Sequence, residues 1–285
     1  MELLQLQQLL HAACNVSPKP SPAAPSIHAD WLRGCSSGML RSAKSCMERL
    51  HENGQWPQPS LHAAWLRVNA TLGSYSVLFV GDSTLYNKVR WLESVGGQGS
   101  AMPSACERGH GICFAYGTVS CDIDSARHVR RSDFDAIVWS EGLHWLLRPL
   151  RKEEHTIADY RTAVQQCASQ LASRFPRARK LYKETNWVCS RNFYGAWANW
   201  AHGGERARAE ARGALTMSEV GVQQLRQVER TTVHGFGWEL LPSATDNTTC
   251  ECSGRGDGPH YIPLVPHFAM TLAGAVASER GRPPV

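Results

Sequence analysis

An unbroken apolar run, Val77-Leu78-Phe79-Val80, leads directly into Gly81-Asp82-Ser83, after which Leu85, Val89 and Leu92 recur at helical spacing. A run that is apolar on both faces predicts a buried parallel strand, and the spacing after it predicts a helix that begins at the turn. Such a strand and helix call for a layered α/β fold, because the helix must carry the chain back across one face of the sheet. Ser83 then stands at the carboxyl end of the strand, the edge where open α/β sheets place their ligand crevices. The start of the helix adds N–H groups without intrahelical partners, which can stabilise a developing oxyanion. The arrangement suits acyl transfer; a serine that merely caps the helix is the simpler alternative.

A serine is a weak nucleophile at its ordinary pKa and needs a base, usually a histidine held by a carboxylate. Gly256-Asp257-Gly258-Pro259-His260-Tyr261 carries both, three residues apart in a turn, just before an apolar stretch to Val276 that reads as a C-terminal helix. Asp257 and His260 can therefore emerge on one side of that turn. The Arg255-Gly256-Asp257 tripeptide found there is a short motif that recurs by chance.

A GDS turn after an early strand and a DxxH pair before a last helix resemble the SGNH, or GDSL-like, hydrolases. FVGDS, the central FDAIVWSEGLHWL and the late DGPHY are together similar to the PC-esterase group, which includes trichome-birefringence-like polysaccharide O-acetyltransferases and glycan acyl-esterases. The resemblance covers roughly residues 75 to 278. It implies a three-layer α/β/α sandwich with a mainly parallel sheet, with Ser83 as nucleophile, His260 as base and Asp257 as the orienting acid. It also implies an oxyanion hole made of the Ser83 N–H, a glycine N–H after the second strand and an asparagine after the third. Gly117, after the apolar run Ile112 to Tyr116, is the candidate glycine, with Gly96, Gly97 and Gly99 as competitors. Ser140 stands where the related pattern has asparagine; losing one oxyanion donor costs roughly 3 to 4 kcal/mol in well-studied enzymes. His144 and Trp145 are candidates to line the substrate pocket, or else Trp145 packs beneath the loop and His144 caps it.

The function expected on this reading is a serine acyl-ester hydrolase or O-acyltransferase acting on O-acetyl groups of a glycan, without metal or cofactor. The rival is a catalytically weak or inactive scaffold acting as a glycan-binding or interaction module, motivated by the missing asparagine. The aromatics Trp187, Phe193, Tyr194, Trp197 and Trp200 are dense enough for a sugar site, although a loop packed by its own side chains is the more frequent explanation.

Thirty basic against 25 acidic residues give +5, too small an excess to imply nucleic acid without a clustered basic face. No stretch approaches the apolar length of a membrane span. Ten cysteines without a paired CxxC pattern, with sequons at Asn15, Asn69 and Asn247, favour an oxidising, secretory-pathway setting. Against it, MELLQLQQLLHAAC has no basic n-region and makes a poor signal peptide, which keeps a cytoplasmic location as the alternative.

Residues 1–29 contain NVSPKPSPAAPS and read as a linker arm, 30–72 as a helical appendage, and 73–285 as the catalytic domain. Further strands are expected over 134–139, 180–183 and within 232–241. The periodicity predicts one helix from Glu153 to Phe175, in which Cys167 is a core residue, and another from Glu205 to Val228.

Overall fold

The computed structural model describes residues 68, 70–96, 99–100, 111–117, 129, 132–147, 154–193, 198, 203–241, 243, 245, 250, 261 and 265–278. The expected arm over 1–29 and most of the 30–72 appendage lie outside them.

Six strands form one sheet: β1 (Ser76–Gly81), β2 (Gly99–Ser100), β3 (Gly111–Tyr116), β4 (Ala136–Ser140), β5 (Arg179–Lys183) and β6 (Glu239–Leu241). Their order is β2-β3-β1-β4-β5-β6 and every pairing is parallel. The helices are α1 (Ser83–Gly96), α2 (Leu143–Leu147), α3 (Ile157–Arg174), α4 (Gly204–Ala211), α5 (Glu219–Thr232) and α6 (Val265–Ser278).

The strands are buried on both faces because alternate residues feed two separate cores. Leu78, Val80, Ile137, Trp139 and Tyr182 pack with Tyr160, Val164 and Leu171 of α3 and with Val222, Leu225 and Val228 of α5. Val77, Phe79, Ala136, Val138 and Leu181 pack with Leu85, Val89 and Leu92 of α1 and with Phe268, Leu272 and Val276 of α6. The result is the expected three-layer α/β/α sandwich.

After β1 the chain forms β2 and β3 on one side and then continues through β4, β5 and β6 on the other. Doubly wound sheets open a crevice where the direction of winding changes, outside the carboxyl ends of the strands. Here that place lies between the ends of β1 and β4, at Ser83 and Ser140.

Two helices differ from expectation. Instead of starting at Glu153, α3 starts after Thr156, whose Oγ1 accepts the Asp159 N–H at 3.3 Å while Asp159 Oδ2 accepts the Thr156 N–H at 2.8 Å. This reciprocal capping box sets the first turn. The single helix expected over 205–228 is two: Gly213 takes φ +77° beyond α4, and α5 restarts where Ser218 Oγ accepts the Gly221 N–H at 3.1 Å.

Candidate functional site

The turn after β1 is built by its aspartate. Asp82 is buried, and its Oδ1 accepts the Thr84 N–H at 2.8 Å and the Thr84 hydroxyl at 2.6 Å. Its carbonyl accepts the Tyr86 N–H at 2.9 Å, the first i to i−4 bond of α1. Asp82 is therefore the N-cap and Ser83 the first helical residue. Ser83 is half-buried, and its N–H and hydroxyl have no hydrogen-bond partner among the described residues.

Three adjacent strands bring three of the expected positions to one edge. Gly81 pairs with Ser140 of β4, and the Gly117 N–H donates to Gly81 O at 2.9 Å. A Cβ on Gly81 would lie 2.5 Å from Ser140 O and 2.9 Å from Leu85 Cδ2, so only glycine lets β4 and α1 approach this closely. Ser140 is buried at the end of its strand. Gly117, expected to aim its N–H at an oxyanion, spends that donor on extending the ladder between β3 and β1.

The loop after β4 is tied to the loop after β5. Gly142 has φ +135°, and a Cβ there would lie 2.1 Å from Thr185 Oγ1. Tyr182 donates to the Glu141 carbonyl at 3.1 Å, and Tyr160 donates to Glu229 Oε1 at 2.7 Å. Glu229 Oε2 accepts the Thr185 N–H at 3.1 Å. Burial pushes the Glu229 carboxyl above its ordinary range, and burial together with Glu229 raises both tyrosines well above theirs.

This packing separates the two residues expected to bind substrate. Trp145 is 5% exposed, donates its indole N–H to Glu141 Oε1 at 3.1 Å, and meets Tyr160 edge-on with ring centroids 5.4 Å apart. It is a core residue, and the alternative of packing beneath the loop is the one realised. His144, beside it on α2, is half-buried.

A group of charged residues that the sequence did not single out lies behind the serine. Lys183 Nζ donates to Asn186 Oδ1 at 2.7 Å, and Lys88 Nζ stands 3.5 Å from the same oxygen. Both lysines are buried. Burial lowers Lys88 to about 8, partly opposed by Asp82; burial and the charge on Lys88 push Lys183 well below the ordinary lysine range. One signal was available: Lys88 falls on the Leu85-Val89-Leu92 stripe, the face that a helix buries.

Asp257 and His260 lie outside the described residues, but the positions flanking them are anchored together. Cys250 forms a disulfide with buried Cys189, and the Tyr261 hydroxyl lies 2.7 Å from Cys189 Sγ. Cys113 and Cys167 each take part in a disulfide as well, so Cys167 is more than the plain core residue expected of it.

No protein-family model matches the chain and no curated protein matches it. Among solved structures it is similar to a lipase/acylhydrolase from Enterococcus faecalis, at 11% identity over 70% of this chain and 95% of that one, with a TM-score of 0.44. It is also similar to an extracellular lipase from Streptomyces rimosus, at 14% identity over 69% of this chain and 100% of that one, with a TM-score of 0.36. At these scores the likenesses assign nothing to this chain.

Proposed function

We propose that the chain is a serine-dependent acyl-ester hydrolase or O-acyltransferase acting on O-acetyl groups of a glycan. The observation that carries this reading is the placement of Ser83. It occupies the first helical position at the switch point of the sheet, with the capping duty taken by Asp82 and its own N–H and hydroxyl uncommitted among the described residues. In this reading His260 takes the hydroxyl proton as Ser83 Oγ attacks the acyl carbonyl, and Asp257 holds the imidazole. The Ser83 N–H and the Ser140 hydroxyl face the oxyanion; Gly117 is left out because its N–H is spent. Protonated His260 then returns its proton to the leaving sugar oxygen. Water as the second acceptor makes an esterase, and a sugar hydroxyl makes a transferase. The described disulfides fit an oxidising compartment, hence the secretory pathway. Among the described residues no helix is long and apolar enough to cross a membrane.

The test is labelling with a fluorophosphonate probe. Wild type is expected to label and Ser83→Ala to remain unlabelled; labelling that survives the substitution removes Ser83 from the mechanism. The committed Gly117 N–H and the serine at position 140 also favour a second reading, a glycan-binding scaffold. That reading gains if wild type does not label yet binds acetylated oligosaccharides.

A further inference from the structure

The loop after β5 faces a pocket that the serine chemistry leaves unused. The pocket has a volume of ≈ 420 Å³ and is lined by Trp187, Gln223, Arg226, Gln227, Arg230 and Thr231. Five of these come from α5, and their spacing of three and four residues puts them on one face of the helix. Among the described lining residues none is acidic.

Arg226 is 8% exposed, and its guanidinium is held by main-chain carbonyls. Its Nε donates to Thr185 O at 2.9 Å and its Nη2 to Thr245 O at 2.8 Å. Its Nη1 donates to no described residue. The guanidinium carbon stands 5.7 Å from the centroid of the Trp187 ring. Trp187 is 7% exposed, and its buried indole N–H has no hydrogen-bond partner. Glu184, the carboxylate whose charge acts most on Arg226, already accepts from Arg230 Nε at 2.5 Å and the Ser243 N–H at 3.0 Å.

A buried donor without an acceptor is rare in folded proteins, and the Trp187 indole N–H is one among the described residues. A fixed, nearly buried guanidinium whose Nη1 donates to no described residue, flanked by two exposed carboxamides, presents donors to a group that only accepts. Carboxylates and sulfates are such groups, and a planar guanidinium binds them with strong, directional hydrogen bonds. So polar a lining does not suit the apolar small molecules that most pockets take.

The pocket also lies at the same sheet edge as the serine. Asn186, on which Lys88 and Lys183 converge, immediately precedes Trp187, and Arg226 grips the carbonyl of the residue before Asn186. The ends of β1 and β5 are separated by β4 alone, about 10 Å at ordinary strand spacing. A polysaccharide crossing the carboxyl edge therefore meets both places.

We propose that this pocket is a subsite for an anionic sugar unit, carrying a carboxylate or a sulfate, of the polysaccharide whose ester Ser83 attacks. The assignment rests on the acyl-transfer reading for what the neighbouring site does, and on the pocket alone for the anion.

The experiment is calorimetric titration of the full-length Ser83→Ala protein with three probes: an oligogalacturonate, a sulfated galactan oligosaccharide and a neutral xylo-oligosaccharide. At least one anionic oligomer is expected to bind about tenfold or more tightly than the neutral one, and to weaken as salt is raised. Which anionic arm responds identifies the group. Gln223→Glu and Gln227→Glu change exposed helix positions, where substitutions are expected to alter stability little. Each is expected to weaken the anionic oligomer about tenfold by like-charge repulsion while leaving the neutral one unchanged. Equal binding of neutral and anionic oligomers, or indifference to both substitutions, overturns the subsite. Binding to Ser83→Ala requires no turnover. A subsite that binds beside a wild-type serine that does not label therefore leaves the anion proposal standing and removes only the acyl-transfer reading.

Discussion

Asp82 caps the helix that Ser83 begins, through Oδ1 bonds to the Thr84 N–H and hydroxyl at 2.8 and 2.6 Å. The cap lets the serine keep its own N–H and hydroxyl for something else. It also places a carboxylate beside two buried lysines, whose pKa values it raises against the effect of burial. Asp82→Ala is expected to destabilise the fold by about 1 to 2 kcal/mol through the lost cap, with a further loss from the lysines left without a counter-charge. Asp82→Asn keeps an acceptor at the cap and removes only the charge. Urea denaturation of both variants separates the two effects, and equal losses would show that the cap contributes nothing.

Gly81 and Gly117 are neighbours across a strand pair but differ in what a methyl group would meet. At Gly81 it would lie 2.5 Å from Ser140 O, and at Gly117 3.5 Å from Val80 Cγ1, an ordinary contact. Gly81→Ala is expected to cost about 1 to 3 kcal/mol by overpacking and to slow labelling at Ser83, because β4 or α1 must move. Gly117→Ala keeps its N–H and is expected to leave both stability and labelling near wild type. Thermal melts and labelling rates on the two variants check the contrast.

Ser140 is the remaining oxyanion donor in the proposed mechanism besides the Ser83 N–H. Ser140→Ala removes one hydroxyl from a buried strand end. It is expected to slow acyl transfer by about 10²-fold, the lower range for loss of an oxyanion donor, with the melting temperature little changed. A rate equal to wild type removes Ser140 from the hole.

The parts of the fold that the sequence made legible are those where one pattern dominates. The runs at 77–80 and 112–116 are apolar on both faces and could be little else but buried strands. The GDS turn was legible to within one residue, since aspartate and serine are both good caps and a shift of one position in the helix start decides between them. The break at Gly213 was hidden because amphipathic spacing continues on either side of it. Trp145, in the short apolar run Leu143 to Leu147, could from its sequence serve either as a pocket wall or as a core residue. Lys88 and Lys183 meet on Asn186 only through the pairing of distant strands, which no local pattern encodes.

That meeting has a pH signature. Lys88 titrates near 8 in the folded protein against an ordinary value of 10.5, and Lys183 is lowered further by burial and by Lys88. A base with a depressed folded pKa contributes stability that is full above its unfolded value and is lost as the pH falls through the folded one. The free energy of unfolding is therefore expected to rise with pH from 8 to 10. Above 10 the buried Tyr160 and Tyr182, whose pKa values are raised, turn the trend downward. In Lys88→Met the rise shrinks twice over, because its own proton is gone and Lys183 loses a repelling neighbour. Denaturant titrations at pH 8, 9 and 10 measure it, and identical slopes in wild type and variant would contradict the buried, coupled placement.

The disulfide between Cys189 and Cys250 bears on the other half of the proposed triad. Cys250 is bonded to Cys189 and the Tyr261 hydroxyl rests on the same sulfur, so the two described residues that flank Asp257 and His260 in the sequence are anchored at one buried point. Closing a loop of sequence separation 61 is worth about 4 kcal/mol on the chain-entropy account. Removing it also frees the anchor at Cys250, before the segment that carries His260, the base in the proposed mechanism. The Cys189→Ser/Cys250→Ser double variant is thus expected to be less stable and, at a temperature where it remains folded, to label at Ser83 at least about tenfold more slowly, since small misplacement of a catalytic group is costly. Tyr261→Phe, which removes only the second anchor, is expected to give a smaller loss in the same direction. Comparison of the three labelling rates decides the matter: a double variant that labels as fast as wild type would mean that the disulfide stabilises the fold without positioning the base.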